Sequence, residues 1–105
     1  MAIRNVQLAS ATTTQVFLAA AQHAVTTMLF CNTDTAIDTT IDVYVVPYGS
    51  NANATTQIMK GVPLPAGETF VLDTERLILE TNDAIYAQAA DDLIVTATIS
   101  ILTTA

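Results

Sequence analysis

Few side chains in this sequence could do chemistry. Cys31 is the single cysteine and His23 the single histidine, and they are a candidate nucleophile and base. An imidazole titrates near neutrality and can serve as a general base. His23 sits in an alanine-rich stretch with no carboxylate close in sequence, and no local motif surrounds Cys31. The plainer readings are a surface or interface histidine and a core thiol, since free cysteine is among the most often buried residues. Asp34, Asp38 and Asp42 recur every fourth residue. On a helix they would converge, but this stretch reads as a turn entering a strand. Asp91 and Asp92 read as a hairpin-turn pair, and the twelve-residue calcium-loop pattern is absent. Turn carboxylates that bond nearby backbone are the better reading.

Other chemistry-bearing patterns are also missing. Gly49, Gly61 and Gly67 are isolated, so no glycine-rich phosphate loop exists. Phe17, Phe30, Phe70, Tyr44, Tyr48 and Tyr86 are the only aromatics, and there is no Trp to build a sugar-stacking platform. Tyr44 and Tyr48 remain candidates for a small contact patch, as tyrosine favours protein interfaces. The expectation is no catalytic residue, no cofactor, no metal site and no enzyme. A Cys31–His23 enzyme is the minor alternative.

The elements that must position these residues are strands. Thr26–Asn32 carries apolar residues on both faces, as in a central strand covered on both sides. In Asp38–Val46, Ile41, Val43 and Val45 point one way and Asp42 and Tyr44 the other. Further strands are expected at Gln15–Leu18, Gln57–Lys60, Thr69–Leu72, Leu77–Glu80, Ala84–Ala89 and Leu93–Leu102. Leu18–Ala24 reads as a connection holding one helical turn, being too short for a stable helix. Pro47–Ala54 is the clearest loop. Val62–Pro65 should be an extended edge segment, because each proline lacks the N–H of a ladder. Pro65–Glu68 suits a type I turn. The fold expected is all-β: an antiparallel β-sandwich, jelly-roll or immunoglobulin-like, of seven or eight strands.

Composition narrows the function. The 105 residues suit one domain, and residues 1–21 read as a docking arm on it. Three basic residues face ten acidic ones, for a net charge of −7. Arg4, Lys60 and Arg76 are scattered, which argues against nucleic acid and anionic membranes as partners. No apolar run approaches a membrane span, and no signal peptide is visible, so synthesis in a cytoplasm is expected. Charged residues are only 12% of the chain, while Thr numbers 18 and Ala 17. A hydroxyl- and methyl-coated surface with little charge suits packing against copies of itself or a larger assembly. Ile3, Val6 and Leu8, with Tyr44 and Tyr48, are the candidate interface residues.

One resemblance follows from the second half. Val62–Leu102 carries Pro65–Thr69 (Pro-Ala-Gly-Glu-Thr), then Leu77, Leu79, Asp83, Ile85, Ala87 and Ala89, before a Thr/Val-rich final strand. This stretch, with the strands of Thr26–Gly49 before it, resembles small virion structural proteins of tailed bacteriophages. The resemblance implies a capsid decoration (cement) protein on the outer surface of the virion. Such a protein would form a homo-oligomer, with a trimer the expectation, and bind major capsid or other virion proteins. The alternative it implies is a tail or baseplate-fibre component that binds a host receptor or glycan through Pro47–Ala54.

Overall fold

The computed structural model describes residues 2–10, 12–72 and 77–103. Nine strands are described: β1 (Ala2–Gln7), β2 (Thr14–Leu18), β3 (His23–Asn32), β4 (Thr39–Val46), β5 (Gln57–Leu64), β6 (Thr69–Leu72), β7 (Leu77–Leu79), β8 (Ala84–Ala89) and β9 (Val95–Thr103). They form two antiparallel sheets. Sheet A has the order β1-β9-β3-β6, with β7 also on β3, and sheet B has the order β2-β8-β4-β5.

The pairing gives the wiring. β6 covers Met28–Cys31 of β3 and β7 covers His23–Val25, so the two are one interrupted strand along a single edge. Then β1 pairs β9, β2 pairs β8, β3 pairs β6/β7 and β4 pairs β5. These are the matched arms of one long hairpin whose tip is the β4–β5 loop. The hairpin rolls up so that β9 lies beside β3 and β8 beside β4. That is the jelly-roll arrangement. An immunoglobulin sheet places its first two strands side by side, whereas β1 and β2 lie in opposite sheets.

The core lies between the sheets and follows the two-residue period of the strands. Val95, Ala97, Ile99 and Ile101 of β9 are buried, as are Met28 and Phe30 of β3. Facing them are Ile41 and Val43 of β4 and Ile85, Ala87 and Ala89 of β8.

Several local expectations need correction. Residues 2–10 and 12–21 are not an arm: β1 pairs β9 over six consecutive positions, and β2 pairs β8. The apolar period of β1 is hidden because it is an edge strand: Arg4, opposite inward Ile99, remains exposed. The Leu18–Ala24 stretch forms no helical turn. Ala19 is buried, donates its N–H to Asp83 and accepts from Asn82, and His23 and Ala24 already belong to β3. Those long-range backbone bonds outweigh alanine's weak propensity over so few residues.

β3 is covered on one side only. Leu29 and Cys31 point outward and are half-buried, so Cys31 is not a core thiol. Leu93 precedes β9 with φ of 58° and is exposed. At Pro65–Glu68 the Glu68 N–H donates to Pro65 O at 3.1 Å, with Gly67 at φ of 75°. A positive φ at the third position defines a type II turn, not type I. β5 extends through Pro63, which its edge position permits.

Candidate interaction surfaces

His23 and Cys31 do not meet. They lie on the same extended strand, eight residues apart, and a rise of about 3.3 Å per residue separates them by about 26 Å. The His23 ring instead sits edge-on to Phe17, with centroids 5.4 Å apart and planes at 71°. Among the described residues, no cavity of ligand size opens in the surface.

Asp34, Asp38, Asp42, Asp83 and Asp92 are engaged with backbone. Asp34 Oδ2 accepts the N–H groups of Ala36 (2.9 Å) and Ile37 (2.8 Å), which hold its carboxyl below the usual carboxylate range. Asp38 accepts from Ala66 N–H at 3.0 Å, joining the β3–β4 loop to the β5–β6 turn. Asp42 accepts from Gly61 N–H at 2.6 Å. There Lys60 and Gly61 together oppose Asp42, between the Ile41–Val62 and Val43–Met59 pairs. Gly61 takes φ of 63°, the conformation of a glycine bulge. Asp83 spans two elements, accepting from Tyr48 N–H and Glu80 N–H at 2.9 Å each. Asp92 accepts from Ser10 N–H at 3.0 Å. Among the described residues no group of three potential metal ligands forms.

Sequence reasoning missed Asn32, read as the polar end of the Thr26–Asn32 strand but fully buried. Its side-chain amide donates to Ile37 O (2.8 Å) and Leu64 O (3.0 Å), and its Oδ1 accepts from Asp34 N–H (3.0 Å). Its backbone also bonds Glu68 and Gly67. One side chain thus ties the ends of β3 and β5 together. Nothing local in Asn-Thr-Asp-Thr distinguishes such a residue from an ordinary turn asparagine.

The candidate interface residues separate. Leu8 is fully buried in the core, with its N–H on Val95 O and its carbonyl on Leu93 N–H, and so leaves the set. Val6 is half-buried and packs against the core, while Ile3 points outward from β1 at 62% exposure. Tyr44 lies on the outer face of sheet B, opposite Tyr86 and Gln57, and is only 9% exposed. Tyr86 donates to Gln15 Oε1 at 3.1 Å in the same row. Tyr48 is 75% exposed in the β4–β5 loop, so the two tyrosines do not make one patch.

A surface that was not expected emerges from the register. Outward from sheet A point Ile3, Asn5 and Gln7 of β1, Thr96, Thr98, Ser100 and Leu102 of β9, and Thr27, Leu29 and Cys31 of β3. Thr69 and Val71 of β6 and Ile78 of β7 complete it. None carries a charge, and Ile3, Val71, Ile78 and Leu102 are exposed. The described carboxylates lie elsewhere: Asp34, Asp38, Glu68, Asp91 and Asp92 in loops at one end, Glu80 and Asp83 at the other, and Asp42 on sheet B. Asp73, Glu75 and Arg76 lie outside the described residues. The Thr/Ser alternation of β9 hinted at such a face, but which strands flank β9 could be learned only from the pairing. In comparisons with known proteins the sequence matches no family model and no curated protein, and the fold matches no solved structure.

Proposed function

We propose that this chain is a non-enzymatic structural protein of a bacteriophage particle, an outer capsid decoration protein that self-associates and clamps neighbouring capsid subunits. The observation that carries this reading is the outer face of sheet A, which carries no charge among the described residues, on a chain of net charge −7. A sheet face whose described residues are uncharged and include exposed Ile and Val suits permanent protein contact. The resemblance of Val62–Leu102 to small phage virion proteins supports the same reading. The work is mechanical. A jelly roll with its loops stapled by aspartates is a stiff block, and each contact it makes must be broken before capsid subunits separate. Presenting several copies from one oligomer multiplies weak contacts through avidity. The acidic surface suits the outside of the particle, away from packaged DNA.

Purified protein added to heads that lack it tests this. The expected outcome is saturable rebinding and a higher temperature of head disruption. Absence of binding overturns it. The exposed Tyr48 favours one second reading, a fibre element that contacts a host surface. In that case the protein binds host cells and Tyr48→Ala abolishes the binding.

A further inference from the structure

We infer that the outer face of sheet A is the self-association surface, and that its occupant is a second copy of this chain. The inference rests on the reading above as an assembling structural protein, and it names the face that assembles. Charge supplies the first argument. Two molecules each carrying −7 repel, and they approach most cheaply where neither presents a carboxylate. Among the described residues of sheet A, the outward row Asn5–Thr98–Leu29–Val71 and the rows beside it hold none. Arg4 belongs to the opposite side of β1, paired with inward Ile99.

Area supplies the second argument. Four strands spaced by about 4.8 Å and rising about 3.3 Å per residue give a slab about 19 Å by about 30 Å, roughly 600 Å² in projection. That is the scale of the ~800 Å² each partner contributes to a specific interface. The exposed apolar side chains sit at three places on the slab: Ile3 on β1, Val71 and Ile78 along β6/β7, and Leu102 at the end of β9. The hydroxyls of β9 and Thr27 share the middle with half-buried Leu29 and Cys31, and one pair is already joined to the edge, Asn5 Nδ2 donating to Thr98 Oγ1 at 2.9 Å. Sheet B offers no equivalent. Its edge strand β5 carries a bulge, Lys60 and Pro63, and Asp42 lies on β4 beside it.

Light scattering on the full chain tests this, with Val71→Glu/Ile78→Glu against Gln88→Glu on sheet B. The wild type at about 100 µM is expected at a multiple of 11.1 kDa. The double variant is expected to weaken association by about 100-fold or more, because each contact would bury an unpaired carboxylate. Gln88→Glu, with the same kind of added charge, is expected to associate as the wild type does. Should the double variant not fold by circular dichroism, Ile3→Glu at the opposite edge reads the same contact. A monomeric wild type overturns the inference, as does a folded face variant that still associates or a Gln88→Glu variant that falls apart. The assay contains no phage particle, so its outcome is independent of head rebinding.

Discussion

The two outer faces of this sandwich differ in kind. The face of sheet B spends its polar groups internally: Tyr86 bonds Gln15, Asp42 holds the Gly61 bulge, and Tyr44 is almost covered. Its edge β5 is kinked by that bulge and capped by Pro63, devices that stop further strand pairing. The face of sheet A has the hydroxyls of β9 beside Leu29 and Cys31 at its centre, exposed aliphatic groups around them and no charge among the described residues. On the reading proposed above, the face of sheet A is the one that meets a partner. Whole-chain composition cannot make this distinction, because it does not say which strands share a face.

The largest expected effect separates fold from face. Asn32→Ala leaves Ile37 O and Leu64 O without their buried donor, which costs about 2–4 kcal/mol of unfolding free energy. Urea denaturation reads the loss. Molecules that remain folded should still associate as the wild type does, and a variant that is stable but monomeric would break the comparison. Next comes the face itself. Val71→Glu/Ile78→Glu should weaken association by about 100-fold, or about 2.7 kcal/mol, with little loss of stability, because both side chains are exposed. Smaller again is Gly61→Val on the sheet B side. A β-branched residue at φ of 63° costs about 1–2 kcal/mol, seen as a lower melting temperature, and should leave association unchanged.

The smallest effect is a pH dependence. The Asp34 carboxyl is held below its ordinary value of 3.8 by two backbone N–H groups. A carboxyl depressed in the folded state adds stability above the unfolded pKa and loses it as pH falls through the folded one. Wild-type urea midpoints should therefore fall in acid, and Asp34→Asn should show a shallower fall. Equal slopes would mean that Asp34 does not hold the β3–β4 loop that joins the two sheets.

Much of the architecture was legible in the sequence. The alternation in Ile41–Val45, Ile85–Ala89 and Val95–Ile101 gave strands and their inward faces, and the turn residues gave their ends. β1 was not legible, because an edge strand overhanging the core has no clean period, and so Leu8 was assigned to an arm and not to the core. Asn32 was hidden for a related reason: its partners lie at Ile37, Leu64, Gly67 and Glu68, and burial by distant loops leaves no local mark. The candidate surface was half visible. The Thr96, Thr98 and Ser100 face of β9 followed from alternation, but its continuation through Leu29, Val71 and Ile78 depends on which strands pair.

Cys31 offers the most direct test, since it lies within the outer face of sheet A and is the only thiol in the chain. Its rate of modification by a thiol reagent should be measured as protein concentration rises through the range of self-association. The account requires the rate to fall in step with the associated fraction, and to stay high at every concentration in Val71→Glu/Ile78→Glu. A thiol equally reactive in associated and monomeric protein would place the contact elsewhere and contradict the account.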